Sequence, residues 1–413
     1  MRFASPFLPV LLLCSSALLA DWPQFRGPDG QGHCEAEGIP LRWSETKNVT
    51  WKTAVPGKGW SSPVISGNQI WMTTAADGGK SLRAVCVDGR GGRIRHDIEV
   101  LTTDAPGSKH AQNGYASPTP VLDGERVFVH FGPRGTVCLD SAGRILWKNT
   151  ELEFAALQGA GSSPILHGDL LILTCDGTDK QFLAALDKRT GKIRWKQPRQ
   201  HLEAAAKKAP IAKMAYSTPL VSAVGGVSQL VSTGADHVAA YDVTTGKEIW
   251  WKPYDGFSLV CRPSYGNGLF YVVGSIELDH HAVFAIRPGK GKIEADGVVW
   301  QSSAGMPHVP SPLLVGTELF VVNDGGVATC FDAMTGKVHW KERLGGNFRS
   351  SPTEIRGRIY VSSREGKTHV FAASREFQRL ATNQLDGILL ASPAISDGAL
   401  FLRSDTHLYR IEE

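Results

Sequence analysis

Short apolar runs, each only a few residues long, recur along the chain between turns rich in Gly, Pro, Asp and Asn. Residues 170–174 and 319–322 are clear examples. Runs of this length bounded by turn residues are typical of β-strands, because helices need longer periodic stretches. The pattern predicts a first strand after a recurring Ser-Pro-like dipeptide and a second strand at each apolar run. These dipeptides are Ser62-Pro63, Ser117-Pro118, Ser163-Pro164, Thr218-Pro219, Arg262-Pro263, Ser311-Pro312, Ser351-Pro352 and Ser392-Pro393.

A second signature follows most of the dipeptides and reads small-x-Asp-x-x-x-Gly-Lys/Arg-x-x-Trp. Its clearest copies occupy residues 185–195, 240–250 and 330–340. The Asp and Gly are typical of a tight hairpin, since Asp accepts backbone N–H bonds across a turn and Gly adopts a positive φ. We therefore expect a third strand that carries the small residue and a fourth that ends at Trp. The Trp is expected to cover the packing between neighbouring sheets.

The repeated unit, of about 40 to 55 residues, predicts one four-stranded antiparallel blade of a β-propeller. Eight dipeptides predict eight blades. The eighth unit ends at Glu413 without a Trp-bearing fourth strand, whereas a strand-like segment with Trp51 precedes the first dipeptide. We expect an all-β, eight-bladed β-propeller over residues 47–413, closed by an N-terminal strand near Trp51 that completes the C-terminal blade and leaves no free edge.

The two segments before the propeller differ in character. Residues 1–20 have the layout of a secretory signal peptide, with one early cation, an apolar run and a small residue at Ala20. The alternative is a lipoprotein signal in which Cys14 is acylated, and only then would the protein be membrane-attached. Residues 21–46 form an N-terminal extension. The expected location is the periplasm or another extracytoplasmic compartment.

Composition narrows the function classes. Gly 45 and Pro 23 are too many for a helical protein. With 44 Lys+Arg against 40 Asp+Glu, the net charge of +4 does not indicate a nucleic-acid-binding surface. The six cysteines after residue 20 invite a disulfide framework. However, Cys86, Cys138 and Cys330 fall on the small position of third strands and are expected to be buried and unpaired. Cys34 is the one candidate for pairing or reaction, and the sequence leaves its state open.

The loops that precede the dipeptides are the candidate site, because in a propeller they converge on one face around the channel. We call them the mouth loops. The candidate ligand-binding residues in them are Lys58, Trp60, Lys109, His110, Asn113, Lys213, Tyr216, Arg262, His308 and Arg349. A ring of cations suits anionic ligands, whereas solvated loop charge is the alternative. Carboxylates are scarce in these loops, which argues against a Ca²⁺ site and leaves no metal ligands assigned.

The repeated Ala-x-Asp-x-x-x-Gly-Lys-x-x-Trp motif resembles the pyrroloquinoline-quinone (PQQ) repeat of quinoprotein dehydrogenases, with its tryptophan-docking Trp. The opening residues 21–28 and the closing residues 392–409 are similar to those of exported PQQ-like propellers. The resemblance implies the propeller fold. It also covers a propeller lipoprotein of the outer-membrane-protein assembly machine, which binds partner proteins and no quinone. The adjacent Cys-Cys pair of many quinoproteins is absent here, and no catalytic residue can be carried over.

Three hypotheses follow for the function. The first is a non-enzymatic extracytoplasmic scaffold that binds an envelope protein or a polysaccharide, with no cofactor and with an anionic ligand as one option. The second is a quinoprotein oxidoreductase that holds PQQ with Ca²⁺ at a cationic mouth. The third is a hydrolase or lyase with an unrecognised site.

Overall fold

The computed structural model describes residues 21–277 and 280–413, and the expected signal peptide at residues 1–20 lies outside this part of the chain. Eight small antiparallel sheets form an eight-bladed β-propeller, as predicted. The strands of blades 1 to 4 are Val64–Ser66, Gln69–Ala76, Ser81–Asp88 and Ile94–Thr102; Val121–Asp123, Arg126–His130, Thr136–Asp140 and Ile145–Asn149; Ile165–His167, Leu170–Asp176, Gln181–Asp187 and Ile193–Pro198; Leu220–Val224, Val227–Thr233, His237–Asp242 and Glu248–Pro253.

The strands of blades 5 to 8 are Ser264–Gly266, Leu269–Glu277, His280–Ile286 and Val298–Ser302; Leu313–Val315, Glu318–Val322, Val327–Asp332 and Val338–Arg343; Thr353–Ile355, Arg358–Ser362, Lys367–Ala372 and Arg379–Gln384; Ala394–Ser396, Ala399–Arg403, His407–Ile411 and Val49–Ala54. Two short strands add to sheets in parallel: His33–Cys34 on blade 7 and Gly291–Lys292 on blade 4. The helical turns are Asp77–Gly79, Gly132–Arg134, Glu203–Ala206, Pro210–Lys213 and Ala295–Gly297. Within the described residues, no helix is long and apolar enough to cross a membrane.

The ring closes as the sequence predicts. The N-terminal strand Val49–Ala54 pairs antiparallel with His407–Ile411, and Trp51 stands opposite Arg410. This strand is therefore the fourth and outermost strand of blade 8. The closure joins the two ends of the described propeller through backbone hydrogen bonds.

The Trp of each signature packs on the next blade. Trp147, in the fourth strand of blade 2, lies over Gly191 in the third-to-fourth hairpin of blade 3, and its indole N–H donates to the Lys188 carbonyl at 3.1 Å. In that hairpin Asp187 accepts the backbone N–H groups of Arg189 and Thr190, both at 3.0 Å. The predicted hairpin chemistry and inter-blade packing are therefore both present.

One predicted dipeptide is displaced by two residues. In blade 2 the position that corresponds to Ser62 is Thr119, whose hydroxyl accepts the Ser62 N–H at 2.9 Å. Thr119-Pro120, rather than Ser117-Pro118, therefore heads this blade. The tandem Ser-Pro-Thr-Pro offers two equivalent signals, and only the spatial neighbours distinguish them.

The core lies between blades, where apolar side chains from facing sheets pack together. Leu171 and Phe182 of blade 3, for example, pack with Val121 and Phe128 of blade 2. Cys86, Cys138 and Cys330 are fully buried on third strands, as expected, and no disulfide joins the six described cysteines. Cys34 is partly exposed and unpaired.

Candidate functional site at the channel mouth

A ring of hydroxyl groups surrounds the channel where the first strands begin. In each case the backbone N–H of one blade donates to the Ser or Thr hydroxyl of the next, at distances of 2.9 to 3.0 Å. The hydroxyls belong to Ser62, Thr119, Ser163, Thr218, Ser311, Ser351 and Ser392. Blade 5 carries Arg262 at this position, so the ring lacks one hydroxyl.

Residues 21–34, here called the floor segment, close one end of the channel. Trp22 pairs with Ile65 of blade 1, and the Pro23 carbonyl accepts the Leu122 N–H of blade 2 at 2.8 Å. Further along, Gln31 Oε1 accepts the Tyr265 N–H of blade 5 at 2.6 Å. These partners lie on the first strands, beyond the hydroxyl ring as seen from the mouth loops. Among the described residues, the floor segment therefore covers the end of the channel opposite the mouth.

The channel holds a cavity of about 270 Å³ to which all eight mouth loops contribute. Phe25 of the floor segment lines it from below, and members of the hydroxyl ring line its wall. The side chains from the mouth loops include Trp60, His110, Gln112, Asn113, Gln158, Tyr216, Ser258, His308, Arg349 and Leu390. The lining combines aromatic faces with amides and hydroxyls and contains a single Arg or Lys.

The polar groups of the lining bond chiefly to one another. The Tyr216 hydroxyl donates to Gln158 Oε1 at 2.9 Å, and Asn113 Nδ2 donates to the Gln158 carbonyl at 2.9 Å. His308 Nε2 lies 3.0 Å from the Ser258 carbonyl. These contacts join loops of different blades, so they hold the shape of the cavity before any ligand binds. Burial raises the pKa of Tyr216 well above its ordinary value, and its hydroxyl therefore stays protonated.

Arg349 is held by a carboxylate beside the cavity. Its guanidinium donates to Asp324 Oδ1 at 2.6 Å and to Gln112 Oε1 at 2.9 Å. Asp324 Oδ2 accepts the His308 N–H at 2.6 Å. Both oxygens of the acid are thus occupied, and the charge of Arg349 is largely balanced within the protein.

Six of the ten predicted residues line the cavity together: Trp60, His110, Asn113, Tyr216, His308 and Arg349. The three predicted lysines do not line it. Lys58 and Lys109 are exposed, and the Lys109 ammonium lies 5.7 Å from the Tyr115 ring centre. Lys213 ends a short 3-10 turn. Arg262 is only 2% exposed, and its guanidinium turns to the floor segment, where it donates to the Phe25 carbonyl at 2.7 Å.

The sequence did not single out the other residues of the lining, among them Phe25, Ser258 and Leu390, together with the ring hydroxyls. Phe25 belongs to a segment without strand periodicity, and nothing in its neighbourhood indicates that it reaches the channel. Asp324, which lies between two strands of blade 6, is likewise recognised as part of the site only through its contact with Arg349. All of these hydroxyls except that of Thr119 belong to the predicted dipeptides, but their arrangement in a ring is seen only in the structure.

The lining does not fit PQQ. This quinone carries three carboxylates, and among the cavity-lining residues only Arg349 offers a permanent positive charge, which Asp324 already balances. Within residues 21–277 and 280–413, no three His, Cys, Asp or Glu side chains are grouped so that they could hold a metal ion such as Ca²⁺. The donor set therefore suits a neutral or weakly charged polar group better than a tricarboxylate.

Comparison with known families gives one match. The family model described as outer membrane protein assembly factor BamB matches residues 95–256, 179–293 and 290–408. A comparison with curated protein sequences finds no match.

Solved structures share the fold at low sequence identity. BamB from Moraxella catarrhalis is 15% identical, with a TM-score of 0.61, and the alignment covers 88% of this chain and 99% of that one. The quinohemoprotein alcohol dehydrogenase from Comamonas testosteroni is 11% identical, with a TM-score of 0.72 and coverage of 97% and 81%. A europium-containing methanol dehydrogenase is 12% identical, with a TM-score of 0.65 and coverage of 93% and 89%. At these identities the likeness concerns the fold.

Proposed function

Since this chain belongs to the family of the outer membrane protein assembly factor BamB, we propose that it is a non-enzymatic, extracytoplasmic scaffold that binds a partner protein at the mouth of its channel. The observation that carries the proposal is the one-ended cavity to which all eight mouth loops contribute. A cavity with an aromatic rim, a closed floor and a preformed polar lining is suited to receive a side chain or chain end of a partner.

The hydrogen bonds of the carboxylate and of the amides at the cavity favour binding over catalysis. A general base must have a free lone pair within reach of a substrate. Asp324 is the carboxylate next to the cavity, and its oxygens are committed to Arg349 and to the His308 N–H. Gln158, Tyr216 and Asn113 are bonded across loops, which favours a fixed shape over proton transfer.

The test is capture of a partner from an envelope fraction by the exported protein and by two variants. Trp60→Ala removes an aromatic face of the cavity, and Arg349→Gln removes its permanent charge. We expect each variant to weaken binding roughly tenfold or more, as truncation of central aromatic and Arg anchors does at protein interfaces. Arg194→Ala, on the outer strand of blade 3 and 57% exposed, is the control and should bind as the wild type does. Equal capture by all four proteins would contradict the proposal.

A polysaccharide is the second candidate ligand, because Trp60 and Tyr216 lie beside the amides of Asn113 and Gln158 in the same cavity. An aromatic face together with amide donors and acceptors is also suited to a sugar ring. Titration calorimetry with envelope oligosaccharides separates the two candidates. Heat that disappears in Trp60→Ala would favour the sugar, whereas capture of a protein by an envelope fraction treated with glycosidases would favour the protein.

The quinoprotein alternative has its own measurement. PQQ and Ca²⁺ are added to the purified protein, and the cofactor spectrum and dye reduction by alcohols are recorded. The proposal predicts an unchanged spectrum and no dye reduction. A red-shifted spectrum with dye reduction would replace the scaffold by an oxidoreductase.

A further inference from the structure

Two arginines lie buried beneath the cavity, one in the floor segment and one in the propeller. Arg26 and Arg262 are each 2% exposed. Arg26 donates from Nη2 to the Gln31 carbonyl at 2.6 Å, and Arg262 donates from Nη1 to the Phe25 carbonyl at 2.7 Å. Three further guanidinium nitrogens are buried and have no hydrogen-bond partner among the described residues: Nε and Nη1 of Arg26 and Nε of Arg262.

The backbone around the two guanidinium groups is shaped to admit them. A Cβ at Gly30 would lie 2.3 Å from Arg262 Nη1, and a Cβ at Gly32 would lie 3.0 Å from Arg26 Nη2. Both glycines have a positive φ, +70° and +92°. Only glycine combines this conformation with the space that the guanidinium groups require. The floor segment and blade 5 therefore enclose the two guanidinium groups together.

The local charge is not balanced by the protein. Arginine stays protonated in proteins, and although burial lowers the pKa of Arg26 to about 10 and that of Arg262 to about 9, both values remain far above neutrality. One carboxylate, Asp29, acts on both arginines, but it is 42% exposed and its oxygens accept from His33 at 2.8 Å and from the Gln31 N–H at 2.7 Å. Two cations against one carboxylate leave at least one positive charge.

We propose that a small monovalent anion of the chloride class binds between Arg26 and Arg262 and fastens the floor segment to the propeller. A buried cation without a counter-charge is costly, and unpaired guanidinium N–H groups are strong donors to an anion. A monovalent anion balances the remaining charge, whereas a divalent anion would leave an excess negative charge in a buried site. The chain itself indicates the special role of Arg262, since it replaces the hydroxyl that the ring carries in the other seven blades.

The experiment measures the melting temperature of the purified protein in sodium bromide, chloride, sulfate and gluconate at one ionic strength. An anion that binds only the folded state raises the melting temperature in proportion to the logarithm of its concentration once it exceeds the dissociation constant. We expect this rise for bromide and chloride. Arg262→Ser, which supplies the missing ring hydroxyl, and Arg26→Met should both abolish the difference between bromide and gluconate. General salt effects are removed by comparing each variant with the wild type.

Arg403 provides the matched control. It is also buried, at 3% exposed, but its guanidinium donates to the Ser61 carbonyl at 2.9 Å and to the Thr73 carbonyl at 3.1 Å. Arg403→Met should lower the melting temperature and keep the bromide dependence.

Crystals of the wild type grown in bromide give a second measurement that needs no variant, namely an anomalous peak between Arg26 and Arg262. Each of three results would overturn the proposal. They are the absence of that peak, a rise in the melting temperature in sulfate that is specific to the wild type and larger than in bromide, and the same bromide dependence in Arg262→Ser.

Discussion

Buried histidines should make the stability of the propeller depend on pH. His130 is 2% exposed, and burial lowers its pKa from 6.5 to about 4. His237 is fully buried, and burial, with the charge of Arg199 as a smaller cause, lowers its pKa to about 3. Both are neutral in the fold, so each contributes stability that is fully present above about pH 6.5. As pH falls from there to the folded-state pKa, each costs about 1.4 kcal/mol per pH unit, because protonation favours the unfolded chain.

Denaturant unfolding of the wild type and of His130→Asn at pH 7, 6 and 5 measures this effect. The Asn amide can still bond to the Thr136 hydroxyl, which lies 2.9 Å from His130 Nδ1. The variant is expected to lose stability with falling pH less steeply than the wild type, by about 1.4 kcal/mol per unit. If the unfolding free energies of the two proteins fell equally steeply with decreasing pH, His130 would not titrate with a lowered pKa.

For single residues, the sequence predicted which side chains are buried better than it predicted where the side chains point. The small position of the third strand identified Cys86, Cys138 and Cys330 as core residues, because the strand pattern decides which face is inward. Arg262 could not be placed in the same way. Its guanidinium bonds to Phe25, 237 residues away in the chain, and such a contact leaves no local signal. The loop lysines likewise lack a pattern that says where their side chains point.

In the third-to-fourth hairpins, the Trp of the preceding blade packs on a glycine. We expect a side chain at that glycine to lower the stability of the protein. A Cβ at Gly191 would lie 2.5 Å from the Trp147 ring, in addition to the strain of φ +73°. Gly168, in the first-to-second hairpin of the same blade, has φ +57° and nothing within 4 Å of such a Cβ. Gly191→Ala and Gly168→Ala thus share the backbone penalty and differ in the clash. We expect Gly191→Ala to cost an additional 1–3 kcal/mol or so of unfolding free energy, the usual range for overpacking.

Thermal and denaturant unfolding of the two glycine variants measure that difference. A double variant, Gly191→Ala with Trp147→Leu, should recover part of the loss, since the smaller side chain makes room. Equal costs for the two single variants would mean that these glycines serve the backbone conformation alone.

At the scale of elements the sequence predicted the blades because dipeptide, apolar run and hairpin signature agree with one another in most of the repeats. Where two signals competed, in the Ser-Pro-Thr-Pro of blade 2, the choice fell on Ser117 instead of Thr119. The strand Gly291–Lys292, which pairs with blade 4 although it lies between the third and fourth strands of blade 5, was not predicted. A two-residue strand has no periodicity to detect. The hairpin expected near residues 277–281 includes residues 278 and 279, which lie outside the described part of the chain.

The closed ring is predicted by counting repeats over the whole chain, and no single blade contains this information. Eight dipeptides and seven fourth strands after them require one more strand, and Trp51 supplies it from the other end of the sequence. The floor segment was beyond such reasoning, because it closes the channel through single contacts with several blades instead of through a repeat. Fold and closure therefore follow from the sequence, whereas the one-ended shape of the candidate site does not.

Moving the closing strand to the other end of the chain should preserve the ring. Glu412 donates its N–H to the Asn48 carbonyl at 3.0 Å, so the end of the third strand of blade 8 lies beside the start of the fourth. A chain of residues 55–413, a hairpin linker of about four residues and residues 47–54 is expected to fold as a monomer. A chain of residues 55–413 alone lacks, like the permuted chain, the residues before 47, and it also lacks the closing strand. His407–Ile411 then becomes a free edge that pairs with other chains. Light scattering and melting temperature distinguish them: the permuted chain should be monomeric and clearly more stable, and equal behaviour of the two chains would show that the closing strand does not hold the ring together.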